Sequence, residues 1–201
     1  MARELTTAAG QVAPAADDLW LRAGDLSVRF AWQGDRFGHE LGVIASETFL
    51  PIARSMEGTP EDDWPESPAL QSLDLNSGPA PNSLALLVGM AGKSHWSASV
   101  EVHGEELRFD VACRLHRQDL GLLGSAYVAL GQPRLHDQCT VRIARAGTAA
   151  KSAGILISLD ERFPDTRWEV AGDRLRVLPV AAATQVAQTV RWGYRVTLAR
   201  W

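Results

Sequence analysis

Cysteine and long hydrophobic runs are scarce in this sequence of 201 residues, and each scarcity excludes a class of protein. The two cysteines, Cys113 and Cys139, form no CxxC pair, so we expect reduced, buried thiols rather than a disulfide scaffold or a thiolate zinc site. The sequence contains no run of about 18 apolar residues that could form a membrane-spanning helix. No apolar stretch near its start resembles a secretory signal. We therefore expect a soluble, cytoplasmic protein that does not bind membranes.

The familiar catalytic and cofactor-binding motifs are also missing. The sequence has no G-x-S-x-G turn, no Walker phosphate loop, no Rossmann glycine pattern and no H-E-x-x-H motif. The pair His39-Glu40 lacks the second histidine that a metalloprotease motif needs. We therefore predict no cofactor and no metal, and the sequence favours a protein that is not an enzyme.

The composition is that of an ordinary globular protein with a core, because 46% of the residues are hydrophobic and 22% are charged. The formal net charge of −4 argues against general binding to nucleic acid. We predict a single domain over residues 18–201, preceded by a mobile arm at residues 1–17.

Alternation of apolar and polar residues is the dominant pattern, and it predicts strands. Three segments predict tight hairpins around loops of glycine followed by an acidic residue, at residues 27–43, 95–116 and 168–178. In the second hairpin, the turn opposes Val100 to Phe109 on a core face and Glu101 to Arg108 on a solvent face.

These patterns predict an all-β, antiparallel fold of about ten to twelve strands, arranged as a two-sheet sandwich. A closed antiparallel barrel is the alternative. Residues 83–89 are almost continuously apolar and are expected to be buried on both faces. Helix is the minority element, with short candidates near residues 116–123 and 180–188.

Residues 55–82 do not fit the strand pattern. They contain six acidic residues, no lysine or arginine, and five of the ten prolines, which predicts a long acidic loop. We expect this loop to dock either on Arg191 and Arg195 of the last strand or through Trp64.

Three residues are candidates for ligand binding. His39 lies on the apolar face of the first hairpin opposite Phe30, where a histidine can be either a pocket residue or a core residue with one satisfied hydrogen bond. His136 lies in a loop, and Trp64 lies in the acidic loop as an aromatic platform or an anchor. His95 and His116 share a polar face but have no third metal ligand.

Three functional hypotheses remain open from the sequence. The first is a non-catalytic binding domain for a small molecule, a sugar or a protein partner. The second is an enzyme whose loop-borne site includes His39 or His136. The third is a structural protomer of a homo-oligomer.

Overall fold

The computed structural model describes residues 18–77, 83–116, 123–145, 153–180 and 187–199. These residues form fifteen β-strands and no helix. In chain order the strands are β1 (Leu19–Ala23), β2 (Leu26–Trp32), β3 (Phe37–Ala45), β4 (Thr48–Ser55), β5 (Ser72–Ser77), β6 (Ser83–Ala91), β7 (Ser94–His103), β8 (Glu106–Arg114), β9 (Ser125–Ala129), β10 (Gln132–Leu135), β11 (Thr140–Arg145), β12 (Ala153–Leu159), β13 (Thr166–Ala171), β14 (Arg174–Pro179) and β15 (Thr189–Leu198). The arm predicted at residues 1–17 and most of both helix candidates lie outside the described residues.

The strands form two antiparallel sheets that pack face to face. One has seven strands in the order β1-β2-β3-β4-β9-β14-β13, and the other has eight in the order β10-β11-β12-β15-β8-β7-β6-β5. Each sheet ends in edge strands, so the structure is a β-sandwich and not a closed barrel. The prediction of an all-β antiparallel sandwich is confirmed.

The three predicted hairpins have the predicted registers. Val100 opposes Phe109 between β7 and β8, and the first hairpin places Phe30 opposite His39. The third opposes Trp168 to Val177. Glycine at each turn takes a positive φ, as these short loops require.

The core lies between the two sheets, where alternate residues of each strand point inward. Phe109 of β8 and Trp192 of β15 are 2% and 0% exposed. Trp192 packs edge-on against Trp96, with ring centroids 6.2 Å apart. Aromatic residues therefore fill the centre of the sandwich, as the alternating pattern predicts.

The described residues contain more strands than predicted, and proline explains two that the pattern missed. Pro51 interrupts the apparent strand pattern of β4, but it lies opposite Gly42 where the register with β3 shifts at a bulge. Pro133 lies in β10, an edge strand, where one missing amide donor is tolerated.

Part of the segment at residues 55–82 is built into the fold rather than looping away. Its residues 72–77 form β5, and the backbone amide of Phe37 donates to the Leu70 carbonyl at 2.7 Å. Glu66 pairs with Arg176 at 2.9 Å, so among the described residues the ion pair of this acidic stretch is to Arg176 rather than to Arg191 or Arg195.

Two burial predictions are wrong. Strand β6 is not buried on both faces, because Leu86, Val88 and Met90 are 48%, 53% and 45% exposed. Cys139 is exposed rather than buried, because it lies in the bend before β11 and the strand alternation begins only at Thr140. Cys113 is buried, as predicted.

Candidate functional site

His39 lies on the inward face of β3, between the two sheets, and is 8% exposed. Its ring stacks against Phe109 of the opposite sheet, with centroids 5.7 Å apart. The hairpin register aims this side chain inward together with Phe30, so the local sequence alone places it in the core.

A chain of hydrogen bonds joins His39 to two buried tyrosines. The imidazole Nε2 lies 2.7 Å from the Tyr127 hydroxyl, which also contacts the Tyr194 hydroxyl. Burial lowers the pKa of His39 from 6.5 to about 4, so the ring is neutral at neutral pH. Burial also raises the pKa of Tyr127 and Tyr194, so both hydroxyls keep their protons. A neutral His39 can then accept at Nε2 while Tyr127 donates.

Glu57 is the carboxylic acid of this interior cluster, and the sequence pattern did not single it out. Its Oε1 accepts a hydrogen bond from Ser55 Oγ at 2.5 Å, and Ser55 Oγ in turn accepts from the His39 amide at 2.7 Å. Burial raises the pKa of Glu57 to about 7, although Ser55 and Arg36 act to lower it. Its Oε2 is buried without a hydrogen-bond partner among the described protein atoms.

The space around this cluster is too small for an organic ligand. His39, Glu57 and Tyr194 line an interior cavity of about 10 Å³ together with apolar side chains from both sheets. A cavity of that volume holds about one water molecule. The cluster can hold protons, but it offers no room for a substrate.

The structure does not bring the three predicted site residues together. Trp64 is half-buried and packs against the core, which supports its role as an anchor of the acidic segment. His136 is exposed in the bend that follows β10, where its amide donates to the Thr140 carbonyl. Neither residue lines the cavity at His39.

His95 and His116 contact each other, with ring centroids 5.3 Å apart. Among the residues that the structure describes, no group of three or more histidine, cysteine or acidic side chains is arranged to hold a metal ion.

The outer face of the eight-stranded sheet carries an open groove, here called the outer groove. Strands β6 and β15 form its two walls, and β7 and β8 form its floor. Its two ends have cavity volumes of about 440 and 530 Å³. The residues that line it are Leu86, Leu87, Val88, Gly89, Met90, His95, Trp96, Ser97, Ala98, Ser99, Asp110, Ala112, Arg114, Thr189 and Arg191.

Small side chains make the floor of the outer groove low. Ser97 of β7 lies opposite Ala112 of β8, and Ser99 lies opposite Asp110 on the next outward-facing pair. The β6 wall is apolar, because Leu86, Val88 and Met90 alternate with inward residues and project outward.

The opposite wall of the outer groove is cationic. Arg191 pairs with Asp110 at 2.5 Å and lies over the ring of Phe163 at 5.5 Å. Phe163 in turn covers Gly193, where a Cβ would meet the ring at 2.4 Å. Glycine is therefore required at position 193 for the Phe163 ring to lie against β15.

On the outer face of the seven-stranded sheet, side chains of β1 to β4 cover one another. The rings of Trp20 and Phe49 meet edge to face at 4.8 Å, and the Arg29 guanidinium lies over both. Glu40 holds that guanidinium and also accepts from Arg54 at 2.7 Å. The aromatic and cationic groups here contact one another, whereas Leu86, Val88 and Met90 of the outer groove stay about half exposed.

The apolar residues of β6 are the one sequence feature that could have indicated the outer groove. Because inward and outward positions of this strand are both apolar, polarity alone does not show which side chains are exposed.

The described residues include no helix that could cross a membrane. No protein-family model and no curated protein matches this chain.

Proposed function

We propose that this chain is a non-catalytic β-sandwich domain that binds a segment of a partner protein in the outer groove. The observation that carries the proposal is the row of Leu86, Val88 and Met90, each about half exposed, along one wall of an open groove. Contiguous exposed apolar side chains with a polar rim are typical of protein interaction sites. The free thiols of Cys113 and Cys139 support a reducing, cytoplasmic location for this binding.

A protein segment fits this surface better than a sugar or a small molecule. Small ligands are held in enclosed pockets, whereas the outer groove is open along its length. Sugar rings stack on exposed aromatic faces. The aromatic residue that lines this groove, Trp96, is only 2% exposed, so it offers no face for a sugar ring. The apolar row from Leu86 to Met90 extends for about 14 Å, the length of several residues of a bound chain.

The interior cluster gives the enzyme hypothesis no comparable support. His39 is a candidate general base by residue type, but its neutral ring faces a cavity that holds about one water. The role of His136 in an enzyme stays a prediction. A homo-oligomer, in which a second copy occupies the outer groove, is an outcome that the experiment below distinguishes.

Selection of peptides tests the proposal directly. A random peptide library is panned on the wild-type protein, with Val88→Asp protein as the counter-selection. Affinities of enriched peptides are then measured for wild type, Val88→Asp and the matched control Leu135→Asp, since Leu135 is exposed on β10 outside the groove. We expect Val88→Asp to weaken binding at least about tenfold and Leu135→Asp to leave it unchanged.

Three results would contradict the proposal. One is the absence of enriched peptides, and another is equal binding of enriched peptides to all three proteins. The third is a concentration-dependent dimer in sedimentation that Val88→Asp dissociates, because it would assign the outer groove to a second copy. Circular dichroism and thermal melting confirm that each variant is folded, and Leu86→Ser provides a second groove variant if Val88→Asp is not.

A further inference from the structure

We infer that the partner segment in the outer groove is an amphipathic α-helix with an apolar stripe and acidic side chains next to it. This inference rests on the proposed function and specifies the chemistry of the partner. It follows from the hydrogen bonding of the groove strands, the dimensions of the groove, and the charges along it.

The strands of the outer groove have no free backbone groups with which an extended partner could pair. β6 lies between β5 and β7, and β15 lies between β12 and β8, so the strands of the walls and the floor are paired on both sides. Recognition by strand addition requires an exposed sheet edge. A helix needs none, because it satisfies its own backbone hydrogen bonds.

The width of the outer groove matches a helix. β6 and β15 are separated by three interstrand spacings, which is about 14 Å. A helix with its side chains is about 10–12 Å across. Ser97, Ser99 and Ala112 keep the floor low, so a helix can lie between the two walls and close to the sheet.

The apolar wall has a spacing that a helix can follow. Leu86, Val88 and Met90 are successive outward residues of β6, about 7 Å apart along the strand. Apolar residues on one helix face recur every three to four positions, a rise of about 5–6 Å. Three apolar residues over two helical turns can therefore contact the three side chains of the wall.

The charges of the outer groove favour acidic side chains on the helix. The end around Met90 is lined by His95 and Arg114 and contains no aspartate or glutamate among the described lining residues. Arg114 is exposed and has no ion-pair partner among the residues that the structure describes, whereas Arg191 is already paired with Asp110. An acidic side chain at this end can pair with the exposed Arg114 guanidinium, while a basic one meets like charge.

A designed peptide series tests the inference. The parent peptide is an alanine-based helix with leucine at positions i, i+4 and i+7 and glutamates beside that stripe. One matched control replaces a central alanine with proline, and the other replaces the glutamates with lysines. Fluorescence anisotropy measures the dissociation constant of each labelled peptide for the full chain, at low and at high salt.

We expect the parent peptide to bind, and both control peptides to bind at least about tenfold more weakly. High salt should weaken binding of the parent, because the charges involved are exposed and screened. Arg114→Glu should reverse the preference between glutamate and lysine peptides. Arg134→Glu, an exposed arginine of β10, is the matched control and should leave the preference unchanged.

The outcomes separate this inference from the proposed function. Failure of the parent peptide to bind overturns the inference, and so does equal binding of the proline or lysine peptide. If Val88→Asp still weakens binding of peptides selected from the random library, the outer groove remains the binding site and only the acidic helix is rejected. If it weakens none of them, the proposed function fails as well.

Discussion

The imidazole of His39 and the hydroxyl of Tyr127 are joined by a hydrogen bond of 2.7 Å at the centre of the sandwich. They come from β3 and β9, strands that are separated by β4 in the seven-stranded sheet. Tyr194 extends the contact to the opposite sheet, so polar groups connect the two layers inside an apolar core. A buried polar network that is satisfied in this way favours one packing arrangement over others.

The first prediction concerns the protonation of His39. Its pKa is about 4 in the fold and 6.5 in the unfolded chain, so between these values the unfolded chain binds the proton. The stability that the neutral ring contributes is therefore present above pH 6.5 and lost as the pH falls towards 4. Urea unfolding should show that the difference in unfolding free energy between wild type and His39→Gln changes by about 3 kcal/mol over this pH range. Identical pH dependence in both proteins would show that His39 is not buried as a neutral ring.

The second prediction concerns Glu57, whose pKa is raised from 4.5 to about 7 in the fold. Between these values the folded protein binds the proton, so the contribution of Glu57 is present below pH 4.5 and lost as the pH rises through 7. At pH 8, Glu57→Gln should be more stable than wild type by about 2–3 kcal/mol. A destabilised Glu57→Gln at pH 8 would contradict the burial of this carboxyl.

The two titrations have opposite effects between pH 4.5 and 6.5, because His39 and Glu57 shift in opposite senses. In the wild-type protein, the summed contribution of this pair to the unfolding free energy should therefore be nearly independent of pH in that range. In Glu57→Gln the stability should rise with pH, and in His39→Gln it should fall with pH. Unfolding free energies of both variants at matched pH values check this reversal of slope.

The third prediction separates the core and solvent faces of the second hairpin. Phe109 is 2% exposed and stacks on Tyr194 with centroids 4.7 Å apart, so Phe109→Ala should cost about 3–5 kcal/mol. Arg108 pairs with Glu106 on the outer face, and Arg108→Ala should cost less than about 1 kcal/mol. Urea midpoints of both variants provide the comparison, and similar losses would mean that the assigned faces are wrong.

The fourth prediction concerns the two thiols, which should react at very different rates. Burial raises the pKa of Cys113 to about 12, so it has almost no reactive thiolate at neutral pH. Cys139 is exposed in its bend. Titration of the native protein with a thiol reagent should show one fast and one slow phase. Cys139→Ser should abolish the fast phase, and a fast phase that survives would contradict the burial of Cys113.

Strict alternation between glycine-containing turns made the hairpins predictable from the sequence. A register shifted by one residue would bring a solvent-face residue of β7 opposite Phe109. The pattern of β7 and β8 therefore admits one pairing. Short loops supply the rest of the constraint, since the glycines at positions 34 and 104 both take positive φ.

The interior cluster was only partly predictable. His39 could be identified from the hairpin, but Tyr127 and Tyr194 lie far along the chain and meet it only because the two sheets pack together. Glu57 falls in a stretch whose acidic residues and prolines indicate a loop, and no periodicity marks it as buried.

The outer groove was hidden by ambiguity in the apolar run at residues 83–89. Such a run fits a strand buried on both faces as well as a strand with an exposed apolar face. The distinction depends on whether another layer covers Val88, which a single sequence does not specify. Cys139 was misplaced for a related reason, because the alternation was extended past the start of β11.

If a partner occupies the outer groove, it should protect a thiol introduced there from alkylation. In a Cys139→Ser background, Ser97→Cys places a thiol on the groove floor and Leu135→Cys places one on β10 outside it. Alkylation rates are measured with and without a saturating peptide from the random-library selection. We expect the peptide to slow alkylation at position 97 at least about tenfold and to leave the rate at position 135 unchanged. Equal rates at position 97 with and without the peptide would contradict occupation of the outer groove.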